Sequence, residues 1–193
     1  MIVDGSLGER FVRYSHPGRT AHPSRWEPMM DVLSTLALIA ATLSMGMVSS
    51  VFALYAHTVM PGLRRTDDRT FVGAFQALDR AIINPWFIGG GFLGALLFTI
   101  AAAVTQLGRS AFPWIVIALV LYAVTVVITI AVNVPRNDAI KAAGDPDRMD
   151  VAAVRRQFDE ARWARFNLVR VFTSLPAFAL LVWALVLHGQ SSA

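Results

Sequence analysis

Residues 112–134 read FPWIVIALVLYAVTVVITIAVNV, with no acid, base or glycine anywhere in the run. A helix rises 1.5 Å per residue, so about 20 such residues cross the roughly 30 Å hydrocarbon core of a bilayer. The helix of a soluble domain would show a polar face at every turn. This run offers Thr125, Thr129 and Asn133, four residues apart on one side. It reads as a transmembrane helix with one weakly polar stripe. Three other stretches meet the same length: 32–60, 85–107 and 168–187, none with Asp, Glu or Lys well inside it. The expected fold is all-α, a four-transmembrane-helix bundle over residues 32–188, with a polar tail at 1–31 and a short one at 189–193.

Composition agrees. Of 193 residues, 55% are hydrophobic and 16% charged, against about a quarter charged in soluble domains. The chain has no cysteine, so disulfides and thiolate chemistry are excluded. His16, His22, His57 and His188 are too scattered to form a ready-made metal site. The net charge of +4 is carried almost wholly by arginine, with Lys141 the single lysine. These arginines flank apolar spans, so they read as topology signals for a lipid bilayer, and no nucleic-acid partner is expected. The first 30 residues are polar and rich in turn formers. They lack the apolar core of a signal peptide and are expected to form a flexible or surface-lying tail.

Punctuation marks the ends of the spans. Asn84-Pro85 reads as an N-cap followed by proline at the first helical position. Pro135 disfavours helical geometry at Val134 and is expected to close the third span. Pro176 is expected to kink the fourth. Gly90 and Gly94, beside Gly89 and Gly91, give the second span a smooth face for helix contact.

The loops after the first and third spans carry most of the basic residues, among them Arg64, Arg65, Arg136, Lys141, Arg155 and Arg156. That excess predicts a multi-pass cell-membrane protein with both long loops cytoplasmic and both termini outside. Each loop also contains an amphipathic stretch: Phe71, Phe75, Leu78 and Ile82 in one, Val151, Val154, Phe158 and Ala161 in the other. Short interfacial helices or extensions of the spans are expected there; connectors that pack on the bundle fit the pattern equally well.

Helical phase gathers the embedded polar groups. Thr42, Gly46, Ser49, Ser50, Ala53 and His57 share about a third of the first span's circumference at ~100° per residue. Trp163, Asn167, Arg170 and Ser174 form a narrow stripe entering the fourth. Such stripes are expected to face the bundle interior. Chain direction puts His57, Asn84, Asn133, Asn137, Asn167 and Arg170 at one end of the bundle, the candidate site. Each also has a structural explanation: capping for Asn84 and Asn137, interhelical hydrogen bonds for Asn133 and Asn167, an interfacial position for His57, and snorkelling for Arg170.

Four elements carry a family likeness. Val59-Met60-Pro61-Gly62-Leu63, Asn84-Pro85-Trp86-Phe87, Asn133-Val134-Pro135-Arg136-Asn137 and Trp163-Ala164-Arg165-Phe166-Asn167-Leu168-Val169-Arg170 resemble the anthrone oxygenase family, in order and spacing, from about Val32 to His188. The resemblance implies oxidation of an anthrone-like polycyclic phenol to a quinone by dioxygen, with neither metal nor flavin, hence no cofactor. Its matching positions are Asn133, Pro135, Asn137, Trp163, Asn167 and Arg170. A histidine often follows the asparagine of the last element; Leu168 stands there instead. On this reading His57 is the candidate base and Arg170 the oxyanion partner. Asn84, Asn133, Asn137, Trp163 and Asn167 would hold a hydrophobic aromatic small molecule. The competing class is a non-enzymatic membrane protein whose polar cluster is structural, with a protein partner or a second copy of itself. A permease ranks last, for want of intramembrane acids.

Overall fold

The computed structural model describes residues 26–191. In chain order its helices are α1 (Pro28–Arg64), α2 (Asp68–Ile82), α3 (Trp86–Thr105), α4 (Phe112–Ala142), α5 (Val151–Phe158) and α6 (Glu160–Ser191). Four are long and apolar enough to cross a membrane: α1, α3, α4 and the run Val151–Ser191 that contains α6. The described chain is thus all-helical, built around four helices of membrane-spanning length and apolarity. α1 begins at Glu27–Pro28, so helix reaches into the stretch expected to be tail; most of that tail lies outside the described residues. α6 likewise continues through the expected closing tail as far as Ser191.

The spans form a ring in which α1 packs on α3 and α6, and α6 packs on α4. Phe92 of α3 and Tyr122 of α4 meet edge to face, and the Tyr122 hydroxyl donates to the Phe92 carbonyl at 2.8 Å. Gly94 lets α3 approach α1 closely: a Cβ there would sit 3.2 Å from the Ser44 hydroxyl oxygen. Gly89 and Gly90 face open space instead.

The fourth span's stripe turns inward as its spacing predicts. Trp163, Asn167, Arg170 and Ser174 are buried, and Ala177, Leu181, Ala184 and His188 continue the same face. The first span's stripe divides. Thr42 and Ser49 are buried and donate to the carbonyls one turn back, whereas Ser50 and His57 are exposed. At the far end of the bundle, Gln106 donates to Ser34 at 2.6 Å and lies 2.8 Å from His188 Nδ1, tying α1 and α6 to the link after α3.

Pro135, expected to end a span, does not end it, and Pro61 likewise lies within a helix. Pro61 and Pro135 would each press on the carbonyl four residues earlier, at His57 and Ala131. The helix widens by one residue immediately before each. Tyr55–Val59 and Thr129–Asn133 are π-helical, with the Met60 N–H reaching the Tyr55 carbonyl and the Val134 N–H reaching that of Thr129. α1 therefore continues to Arg64 and α4 to Ala142. A third wide segment, Trp86–Leu93, opens α3. Helix α6 is continuous through Pro176.

Those extensions carry α1 and α4 past the apolar zone, where α2 and α5 pack on them. Asp67 caps α2 by accepting from the Thr70 N–H at 3.0 Å, and that bond holds its carboxyl below the ordinary range. Phe71, Val72 and Phe75 of α2 are buried with Met60, Ile140, Phe158 and Trp163 in a second core, separate from the core of the spans. The apolar faces of the loop helices thus meet one another and the ends of the spans.

Candidate functional site

Between the two cores lies a cavity of about 280 Å³, at the low edge of the roughly 300–1,000 Å³ usual for small-molecule sites. Its walls are mostly aromatic and aliphatic. Phe52 and Tyr55 come from α1, Phe75 from α2, Phe87 and Phe92 from α3, and Trp163 from α6. All three π-helical segments contribute wall residues: Tyr55, then Phe87 and Phe92, then Thr129 and Ile130. Wide helical turns of this kind recur at functional sites because they displace side chains from regular helical phase.

Arg170 is the buried cation of the cavity wall. Its residue is 5% exposed, and it makes no ion pair among the described residues. Its Nη2 donates to Asn167 Oδ1 at 2.8 Å, and its Nη1 lies 3.5 Å from the Thr129 hydroxyl. The guanidinium stands over the Phe52 ring at 4.3 Å and nears that of Trp163 at 5.4 Å. Its Nε has no partner among the described residues. Ring faces and one amide oxygen compensate a buried cation incompletely, so the cavity favours an anionic or strongly accepting guest.

Opposite stands a carboxylate that the sequence reading did not single out. Asp79 of α2 is 6% exposed. One of its oxygens accepts from Asn137 Nδ2 at 2.6 Å, and the other lies 2.7 Å from the Lys141 ammonium. Asn137 passes the contact on, its Oδ1 accepting from the Trp163 indole N–H at 2.7 Å. Asp79, Asn137, Lys141 and Trp163 all line the cavity. The signal was present in the sequence: Asp79 follows Phe75 by four residues, which puts a carboxylate on an apolar helix face.

The remaining expected members divide. Asn133 and Asn167 are fully buried behind the wall, and each donates its amide to a backbone carbonyl of another helix, Trp163 at 3.3 Å and Phe52 at 3.0 Å. Asn167 also orients Arg170. Asn84 is a cap: its Oδ1 accepts from the Phe87 N–H at 2.9 Å, and it does not line the cavity. His57 is exposed, bonded through Nδ1 to its neighbour Thr58 at 2.6 Å, and also lies outside the lining. Of these six groups, Asn137 and Arg170 therefore line the cavity, and Asn133 and Asn167 lie behind its wall. Asn84 and His57 stand apart from them; His57 lies at the edge of the first span's stripe, on the same side as Ser50, which is likewise exposed.

Fold and cavity together define a bundle of four helices long and apolar enough to span a membrane, with an aromatic-walled chamber at one end. The family model of the anthrone oxygenases matches residues 83–180, about half of the 193, and the chain belongs to that family. The matched part includes Asn137, Trp163 and Arg170 but stops short of Asp79 and His57. No curated protein and no solved structure matches.

Proposed function

We propose that the protein oxidises a polycyclic phenolic ketone of the anthrone type to a quinone, with dioxygen as co-reactant and the cavity as the reaction chamber. The observation that carries this reading is a buried Arg170, without an ion pair among the described residues, in an aromatic-walled space that also holds a carboxylate. The substrate's methylene carbon loses a proton to Asp79, and Arg170 stabilises the delocalised oxyanion that results. The anion passes an electron to dioxygen and the radical pair combines at that carbon, forming a C–O bond. The peroxide takes up a proton. Loss of the second C–H proton then cleaves the O–O bond, leaving the carbonyl and water. The carbon gives up four electrons and dioxygen accepts four, so no further reductant is required. Trp163 and Phe52 would hold the rings, and Asn137 would orient Asp79. His57 and Asn84 take no part in this scheme.

The arginine excess in the two long loops supports a cell-membrane orientation with those loops cytoplasmic. A second reading, a structural membrane partner, draws support from Asn133 and Asn167, whose amides are spent on interhelical bonds. One experiment separates them. The protein in lipid discs is given a hydroxylated anthrone under air, with oxygen uptake and quinone absorbance followed together. Protein-dependent formation of one quinone per dioxygen is expected. A rate equal to spontaneous autoxidation, with a second protein co-purifying, would favour the structural partner.

A further inference from the structure

The cavity has two rims of opposite character. On the loop side the rim is polar and closed: Lys141 bridges Asp79 at 2.7 Å and Asp138 at 3.1 Å. A ligand arriving there would have to part a largely buried ion pair, which is strongly unfavourable. On the side of the spans the rim is apolar and thin. Ile83, Ile130 and Val134 line the cavity and are also 58%, 62% and 39% exposed. A side chain that does both marks a wall one residue thick.

The backbone explains the thinness. Beyond the Phe92–Tyr122 contact, the Trp86–Leu93 segment packs far more on α1 than on Thr129–Asn133 of α4. At the same level a Cβ on Gly89 or Gly90 would meet nothing within 4 Å. α3 and α4 therefore diverge toward the cavity, and the gap faces the apolar surface that lipid covers.

We propose that the cavity is reached sideways from the bilayer, between Ile83 on one bank and Ile130 with Val134 on the other. Its ligand is therefore a neutral, planar aromatic molecule dissolved in lipid, free of sugar, phosphate or carrier-thioester groups. This rests on the reading of the cavity as a substrate site. A molecule already charged would be kept out of the hydrocarbon; one that becomes an anion only inside meets Arg170 there. The access route and the internal charge select for the same chemistry.

The chain has no cysteine, so single thiols can be placed at will. Ile83→Cys, Ile130→Cys and, as a lipid-facing control away from the cavity, Val127→Cys are labelled with a bulky membrane-permeant maleimide in lipid discs. Binding of 1,8-dihydroxyanthraquinone is followed by tryptophan quenching in a stopped-flow instrument. Labels at 83 and 130 are expected to slow association and dissociation together, by ~10-fold or more, with little change in Kd, since an obstructed path alters rates and not end states. The Val127→Cys label leaves both rates unchanged. The proposal is overturned if labels at 83 and 130 have no effect on the rates, or if a label on Asp138→Cys slows binding while they do not. Quinone binding through the gap without anthrone turnover would sink the oxidation reading alone, and absence of binding to the unmodified protein would sink both.

Discussion

Arg170 and Asp79 are both nearly buried charges, but they are compensated differently. Asp79 has an ammonium and an amide; Arg170 has an amide oxygen, a distant hydroxyl and two ring faces. The under-compensated cation is the group whose environment improves when an anion forms beside it. Arg170→Ala is expected to lower anthrone turnover by about 10²–10³-fold, with helix content by circular dichroism unchanged. Asp79→Asn keeps the shape but removes the base, and the expected loss is roughly 10²–10⁴-fold. His57→Ala, at an exposed position outside the cavity, should leave turnover within about 2-fold, as surface substitutions generally do. Loss of turnover in that variant would return the base to His57 and remove Asp79 from the scheme.

At the scale of single elements, the widened turns set the site. A five-residue π segment ends two positions before each of Pro61 and Pro135, and these turns, with the one opening α3, bring Tyr55, Phe87 and Thr129 to the cavity wall. Replacing Pro135 by alanine restores an N–H that can bond the Ala131 carbonyl, and the α geometry becomes available again. Thermal stability should hold or rise, because a helix interior prefers alanine to proline by about 3 kcal/mol. Turnover should fall by ~10²-fold as Thr129, Asn137 and Lys141 shift relative to Arg170. Measuring melting temperature and kcat on the same preparation checks both halves. Unchanged turnover would mean that the π turn is only an accommodation to proline.

At the scale of the whole molecule, the described residues form two packed units: the ring of spans, and a cap made by α2, α5 and the protruding ends of α1 and α4. The cap is held chiefly by aromatic contact. Phe75 lies 4.6 Å from Phe158 and meets Trp163 edge to face at 5.7 Å. Phe75→Ala is expected to cost about 3–5 kcal/mol, concentrated in the cap. Hydrogen exchange should accelerate in α2 and α5 while the spans remain protected. Uniform loss of protection would show that the two cores unfold as one.

Much of this architecture was legible from residue order. Four apolar runs of bilayer length admit few alternatives, because backbone polar groups in hydrocarbon must be satisfied within helices. The inward turn of Trp163, Asn167, Arg170 and Ser174 followed from their spacing on a regular helix. Asn84 as a cap was equally readable, since its bonds are local. Spacing misled at His57, which sits at the exposed edge of its stripe, and at Pro135, which was expected to end a span but follows a widened turn in a continuous helix. The sequence by itself determined the number of spans, their polar stripes and the family likeness, all properties of near neighbours along the chain. Only the tertiary structure decided that α2 folds back to place Asp79 against Asn137 and Lys141, and that α3 and α4 part to leave a gap. Those outcomes depend on which apolar faces find each other across 58 to 62 residues of intervening chain, and local periodicity carries no record of that choice.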